Sequence, residues 1–263
     1  MLRTRLATAA VAIPALIWLI FAAPPWLFAG VIVGICAVGL GEFAAMAIPT
    51  HRGPRVLAVM AGLAFAAAVS SGQPRALGLA LVVSVAGGLL YSLRDPDMPG
   101  AVVRLANALV AALYVGFFLP HVVSLRLHVP GGERWVFLAV GCAMAGDSAS
   151  YFAGRFFGRR KLFPRVSPNK TVEGAVGGLA GSVLFAAIMN SGLPLPGVTG
   201  LGILGIGAAI GVLAQAGDMV ESMLKRAYGT KDSGWVIPGH GGVLDRIDSL
   251  VLPFVFTYYL SAG

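Results

Sequence analysis

Long apolar runs, separated by short polar breaks, extend along almost the whole chain. The breaks carry turn-forming residues, as at Pro24–Pro25, His51–Pro54 and Asp95–Gly100. A helix of about 20 residues crosses the hydrocarbon core of a bilayer, so most runs are long enough for one crossing. The runs predict about nine transmembrane helices, at residues 6–23, 26–47, 56–71, 76–93, 101–124, 135–154, 172–190, 199–222 and 247–262. The pattern therefore predicts an all-α, polytopic integral membrane protein.

Composition agrees with this pattern. Of the 263 residues, 57% are hydrophobic and 11% are charged, which excludes an ordinary soluble globular protein. The two cysteines, Cys36 and Cys142, lie inside apolar runs and are interpreted as buried thiols rather than as disulfide partners or metal ligands. We expect a single membrane domain over residues 1–263, with hydrophobic helices in 1–130 and catalytic helices and cytoplasmic loops in 131–263.

The basic residues predict an orientation. If the N-terminus is cytoplasmic, only Arg75, Arg126 and Arg134 fall on the outer side of the nine predicted spans. This bias predicts a cytoplasmic N-terminus and an outer C-terminus. Arg3 and Arg5 precede an apolar run that is longer than that of a signal peptide, so we expect a retained first helix. The excess of basic over acidic residues suits anionic lipids or substrates, whereas nucleic-acid binding is not indicated.

The stretch Gly217–Asp248 concentrates charge in an otherwise apolar protein. Its first third places Asp218, Glu221, Ser222 and Lys225 at positions i, i+3, i+4 and i+7. These positions share one face of a helix, so the pattern predicts a polar stripe at the end of the eighth span.

A glycine-rich loop and a second acidic group follow. Glycines and one proline interrupt the segment Gly229–Gly242, which predicts a loop whose backbone amides can cradle phosphates. Asp245, Arg246 and Asp248 stand at the start of the last predicted helix, where the helix dipole favours ionised carboxylates. Carboxylates from two helix ends are typical of a Mg²⁺ site. His240 is compatible with a phosphate donor, a metal ligand or a turn residue.

A second charged block begins in the sixth span. Asp147 lies on one helix face with Tyr151 and Arg155. A basic loop follows, and the usual excess of Lys and Arg in cytoplasmic loops accounts for most of its charge. Ser167 followed by proline predicts a helix start whose free amides, with Lys170 beside them, face a phosphate. For Glu42, alone in the second span, a structural hydrogen bond and a functional role are equally compatible.

Two segments resemble the phosphatidate cytidylyltransferase family, also called CDP-diacylglycerol synthases. They are SMLKRAYGTKDSGWVIPGHGGVLDRID, Ser222–Asp248, and DSASYFAGRFFGRRKLFPRVSPNKTVEG, Asp147–Gly174. The resemblance implies CTP and phosphatidate as substrates in a multi-pass inner-membrane enzyme, with membrane lipids around it and a homodimer by analogy. It also implies that the block Ser167–Gly174 belongs to the substrate site.

The residues and the resemblance together predict a site on the cytoplasmic side that transfers a cytidylyl group to phosphatidate, with Mg²⁺ and room for a second ion. Its predicted catalytic residues are Asp218, Asp245, Lys225 and Arg246. Its predicted metal ligands are Asp218, Asp245 and Asp248. Its predicted substrate-binding residues are Ser167, Lys170, Thr171, Glu173, Asp147, Ser222, Arg226, Lys231, Asp232, His240, Gly241 and Gly242.

Two alternatives stay open at this point. One is a related cytidylyltransferase or kinase that acts on another lipid, such as an ether lipid or a polyprenol, because the polar site says little about the tails. The other is a membrane transporter, although transporters usually place ionisable groups near the bilayer midplane rather than at one surface.

Overall fold

The computed structural model describes residues 2–234 and 241–262, with side chains described from residue 11 onward. Helices make up most of this part of the chain, and one short β-hairpin interrupts them. In chain order the elements are α1 Leu2–Phe21, α2 Pro25–Ala47, α3 Arg52–Ser70, α4 Pro74–Ser92, α5 Met98–Ala111, a π-helical segment Ala112–Phe117, α6 His121–His128, α7 Gly132–Phe157, β1 Lys161–Phe163, β2 Ser167–Thr171, α8 Val172–Gly192, α9 Gly200–Ala227 and α10 Leu244–Ala262.

The helices confirm the prediction of an all-α, polytopic membrane protein. Each apolar run in the sequence corresponds to helix, and the fifth run corresponds to α5, the π-helical segment and α6 together. Seven helices in the described part of the chain are long and apolar enough to cross a membrane. They are Pro25–Ala47, Arg52–Ser70, Pro74–Ser92, Met98–His128, Gly132–Phe157, Val172–Gly192 and Gly200–Ala227. The count of nine crossings stays a prediction.

Local chemistry sets the helix boundaries. Pro25 and Pro74 occupy first-turn positions of α2 and α4, where their missing N–H costs nothing. Asp97 and Thr199 cap α5 and α9, because each side chain accepts a hydrogen bond from a backbone amide of the first turn. Gly72, in the short turn between α3 and α4, has a φ of 67°, a left-handed conformation that favours glycine.

Small residues bring α7, α8 and α9 close together. At Gly146 on α7 and Gly211 on α9, the space for a Cβ is already taken by Ser182 of α8. The Ser182 hydroxyl donates to the carbonyl of Cys142 at 2.9 Å. Both cysteines are buried free thiols, as the sequence predicts. Close packing of this kind fixes the relative positions of the helices that carry the site.

Hydrogen bonds define two ends of the helix assembly. At one end, the Tyr228 hydroxyl donates to Asn107 Oδ1 at 2.9 Å, and Asn107 Nδ2 donates to the Ala47 carbonyl at 3.1 Å. At the other end, Arg126 donates to the carbonyl of Ala23, and Arg134 Nη1 donates to the carbonyl of Pro194 at 2.9 Å. The C-terminal ends of α2 and α9 therefore lie close together on the first side of the assembly.

Candidate active site

The polar face of α9 forms one side of the site. The Ser222 hydroxyl lies 3.5 Å from Asp218 Oδ1, one helical turn away. Lys225 Nζ lies 2.5 Å from Glu221 Oε2, also one turn away. These contacts confirm that the four residues share one stripe, because only residues three or four apart on a helix meet in this way.

Lys225 also joins α9 to the first turn of α10. Its ammonium group lies 2.6 Å from Asp245 Oδ1, and 13% of its side chain is exposed. Asp245 Oδ2 additionally accepts the backbone N–H of Gly242 at 2.8 Å and that of Ser233 at 3.2 Å. One lysine and two amides thus hold the Asp245 carboxylate, and Lys225 is the counter-ion of two acids from different helices.

A cavity of about 490 Å³ lies between α7, the β-hairpin, α8 and α9. Lys170, from β2, reaches across it and forms an ion pair with Asp218. At the rim, Arg155 Nη1 donates to the Tyr151 hydroxyl at 2.9 Å, as their spacing on α7 allows. The polar lining consists of Asp147, Ser150, Tyr151, Arg155, Asn169, Lys170, Thr171, Gln215 and Asp218. The structure therefore brings four predicted site residues, Asp147, Lys170, Thr171 and Asp218, to one cavity.

Asp248 adds a third carboxylate to this region. It is 9% exposed, and its charge lies within electrostatic reach of Asp218 and Asp147. Ser249 of α10 in turn lies within interaction distance of the Asp147 carboxyl group. Acids from α7, α9 and α10 therefore converge on one region, as expected where a cation offsets their mutual repulsion.

The donor set suits a hard divalent cation, although the described side chains do not form a complete set of metal ligands. Within residues 2–234 and 241–262, no group of three or more His, Cys, Asp or Glu side chains is arranged to hold a metal ion. Asp218 and Asp245 engage different lysines, Lys170 and Lys225. The acids nevertheless offer oxygen donors, and no donor in the described residues reaches the buried Glu221 Oε1. Oxygen ligands are those that Mg²⁺ requires, so the chemistry of the site fits this ion.

The hairpin corrects one prediction. Ser167 does not start a helix, because residues 167–171 form strand β2, which pairs antiparallel with β1. Thr171 is the N-cap of α8 instead, and its hydroxyl accepts the N–H of Gly174 at 3.1 Å. Lys170 consequently extends from a strand towards Asp218 rather than standing beside the free amides of a helix.

Glu173 lies in the first turn of α8, where it fixes the preceding loop. Its carboxylate accepts the backbone N–H of Arg159 at 3.0 Å and that of Arg160 at 3.1 Å. These bonds tie the residues directly before the hairpin to the helix directly after it. A role of Glu173 in substrate binding stays a prediction.

At least one backbone amide of the glycine segment already has a hydrogen-bond partner, so it is not free to bind a phosphate. The amide of Gly242 donates to Asp245, and Gly241 has a φ of 81°, which a side chain would strain. Gly239 and His240 lie outside the described residues.

The other predicted residues lie at the surface around the site. Arg226 donates to a carbonyl of the loop that follows α9. Lys231 and Asp232 are exposed in this loop, and Arg246 is exposed on the first turn of α10. Their predicted roles stay predictions.

Two hydrogen bonds near the site have partners that were not predicted from the sequence. Glu42 on α2 accepts the N–H of Leu244 at 2.9 Å, although 202 residues separate the two. Tyr228, directly after α9, donates to Asn107, and burial raises the pKa of its hydroxyl. The sequence signals were Glu42 and Asn107, each an isolated polar residue in an apolar run.

Comparisons with known proteins identify the family to which the chain is similar. The model of the "Cytidylyltransferase family" matches residues 3–262. A Synechocystis protein named "Phosphatidate cytidylyltransferase" is 32% identical over 267 aligned residues, which cover 89% of this chain and 88% of the relative. Proteins of the same name from Bacillus subtilis and Haemophilus influenzae are 41% and 46% identical, each over 155 residues. These two alignments cover 58% and 54% of this chain and 56% and 52% of the relatives, so this chain spans about half of their length. Because the family model extends over nearly the whole chain, the chain belongs to the cytidylyltransferase family.

Proposed function

We propose that this protein transfers the cytidylyl group of CTP to phosphatidate, giving CDP-diacylglycerol and pyrophosphate. The observation that carries the proposal is the family match over residues 3–262, joined to a site in which acids and lysines from several helices converge. The names of the relatives supply the lipid substrate, and the charges of the site suit two phosphate-bearing reactants.

The reaction joins two anions. An oxygen of the phosphatidate phosphate attacks the α-phosphorus of CTP and forms a new P–O bond. The bond from the α-phosphorus to the oxygen bridging to the β-phosphorus breaks, and pyrophosphate leaves with that electron pair. The attacking oxygen is already anionic, so no strong general base is required. Electrostatic stabilisation and positioning are the main requirements.

The lysines and acids of the site have distinct roles in this proposal. Lys170 and Lys225 offset phosphate charge, and each is now held in place by a carboxylate. Asp218 and Asp248 would supply carboxylate oxygens to Mg²⁺, which is usually held by one or two carboxylates together with the substrate phosphates. Asp245, the third predicted ligand, lies with Glu221 on the far side of Lys225, where their oxygens would suit a second ion. Magnesium bound there would stabilise the charge that develops on the phosphate oxygens. Asp245 also orders the amides of Ser233 and Gly242 beside the site.

The position of the cavity suits a lipid substrate. Tyr151 and Phe152 on α7 are 59% and 57% exposed, and Phe156 is 70% exposed, so an apolar surface borders the charged cavity. The lipid phosphate would enter the cavity while its tails stay along this surface. We place the site on the cytoplasmic side of the inner membrane, with a cytoplasmic N-terminus and an outer C-terminus. The distribution of basic residues supports this orientation. A homodimer rests on family analogy alone.

Product analysis tests the proposal and separates the alternatives. Purified protein in detergent receives labelled CTP, Mg²⁺ and one lipid phosphate at a time: phosphatidate, an ether-lipid phosphate or a polyprenyl phosphate. We expect CDP-diacylglycerol and equimolar pyrophosphate with phosphatidate. CDP as the nucleotide product would indicate a kinase, and preference for another lipid would change the substrate. Flux of a solute through liposomes without CTP would support a transporter.

Asp218→Asn tests the acidic part of the site. The substitution keeps the volume of the side chain but removes the charge that faces Lys170 and Asp248. We expect at least about a hundredfold loss of pyrophosphate release, the scale on which removal of one electrostatic catalytic group acts. Asp97→Asn is the matched control, because Asp97 caps α5 and asparagine caps equally well. Near-normal turnover of Asp218→Asn would contradict the metal assignment.

A further inference from the structure

Glu42 lies on α2, in the half of the chain to which the sequence assigned no part of the site. Its side chain is only 7% exposed. A buried carboxylate is costly unless hydrogen bonds or a counter-charge satisfy it. The partners of this side chain therefore indicate what it is for.

Both carboxylate oxygens of Glu42 accept hydrogen bonds from backbone amides at the start of α10. Oε1 accepts the N–H of Val243 at 3.0 Å, and Oε2 accepts the N–H of Leu244 at 2.9 Å. Amides at a helix N-terminus have no partner within their own helix. The carboxylate also complements the positive end of the helix dipole. A residue of α2 thus supplies the N-terminal cap of α10.

Glu42 also binds the other end of the loop that precedes α10. The Ser233 hydroxyl donates to Glu42 Oε2 at 3.4 Å, while the Ser233 amide donates to Asp245. Gly234 and Gly242 pack so closely on the Glu42 side chain that neither leaves room for a Cβ. Ser233 and the first turn of α10 are therefore both fixed by Glu42, and Asp245 is attached to each of them.

We propose that Glu42 is a positioning residue of the active site. It holds the first turn of α10 so that Asp245 meets Lys225 and Asp248 faces the acids of α7 and α9. It acts through these residues and does not itself contact the reacting phosphates. The inference rests on the proposed function, because the reaction that it supports is the cytidylyl transfer.

Glu42→Gln, Glu42→Ala and a control, Leu40→Ala, test this proposal. Leu40 lies on the same helix and is fully buried, but it packs against Gly62 of α3. We expect Glu42→Gln to lower kcat/KM for CTP about tenfold, as loss of one charge-assisted hydrogen bond would, and to raise the Mg²⁺ concentration for half-activation. Glu42→Ala should lower kcat/KM further. Leu40→Ala should lower Tm and leave KM for CTP and the Mg²⁺ requirement unchanged.

Hydrogen exchange supplies a readout that needs no turnover. Glu42→Ala should speed exchange at the Val243 and Leu244 amides, whereas Leu40→Ala should not. If Glu42→Ala speeds exchange but the wild type makes no CDP-diacylglycerol, the cap is supported and the proposed function is rejected. Unchanged exchange in Glu42→Ala, or an equal rise in KM for CTP in Leu40→Ala, would overturn the positioning role.

Discussion

Lys225 shows how single residues balance charge at this site. Its ammonium group contacts Glu221 and Asp245, whose side chains are 1% and 10% exposed. Screening by water is weak at such positions, so the shared cation offsets the charge of both acids, although two backbone amides also hold Asp245. The lysine therefore serves the fold as well as the reaction.

Replacement of this lysine should destabilise the protein. Lys225→Met keeps much of the side-chain length but leaves two buried carboxylates without their counter-ion, at an expected cost of about 3–5 kcal/mol. Adding Glu221→Gln should restore part of this loss, because one of the uncompensated charges is then gone. Thermal unfolding in detergent of the wild type, both single variants and the double variant measures the coupling. Equal unfolding temperatures for Lys225→Met and the wild type would refute the buried counter-ion.

The sequence could predict contacts of this kind only over short distances. The Glu221 to Lys225 pair follows from helical spacing, and it was predicted as part of one stripe. The Lys225 to Asp245 pair joins two helices, and no local pattern determines which carboxylate a lysine meets. Glu42 is the extreme case, since its partner Leu244 is brought to it only by the packing of α2 on α10. A buried acid in an apolar span showed that a partner exists but not which one.

At the scale of elements, the β-hairpin shows where local signals compete. Ser167 with its following proline is a sound helix-start signal, yet Thr171 four residues later is a capping residue too. Pairing of Phe163 with Ser167 and of Lys161 with Thr171 favours the later start. Proline is tolerated here because the strand has only one neighbour. The long helices were easier to predict, because the hydrocarbon core requires continuous apolar helices.

The residues that flank the hairpin should differ in their effect on turnover, because Glu173 follows it and Arg159 and Arg160 precede it. Glu173 binds the backbone amides of Arg159 and Arg160, not their side chains, which are exposed. Arg159→Ala and Arg160→Ala keep these amides, so each should change turnover by less than about fivefold. Glu173→Ala removes the acceptor for both and should reduce turnover more than either. Pyrophosphate release compares the three variants, and a total loss in Arg159→Ala would show that this guanidinium has a direct role.

At the scale of the whole molecule, the hydrogen bonds at the two ends agree with successive helices that run in opposite directions. The Tyr228, Asn107 and Ala47 contacts lie at the end that carries the site. Arg126 and Arg134, two of the three basic residues assigned to the outer side, bind loop carbonyls at the opposite end. The sequence assigned these arginines to the outer side from charge counts alone, and the side of the membrane that each end faces stays a prediction. It did not predict the π-helical segment between α5 and α6, whose backbone approaches α3 closely at Gly116.

The proposed orientation can be tested by cysteine labelling. Both native cysteines are buried, so a Cys36→Ala/Cys142→Ala background removes residual reactivity with little change at the surface. Thr50→Cys, in the exposed turn after α2, reports the end with the site, and Ser191→Cys, in the exposed last turn of α8, reports the opposite end. In intact cells a membrane-impermeant maleimide should label Ser191→Cys and spare Thr50→Cys until the inner membrane is opened. The site would then face the compartment that holds CTP, and the reverse labelling pattern would place it on the outer side and leave it without a nucleotide supply.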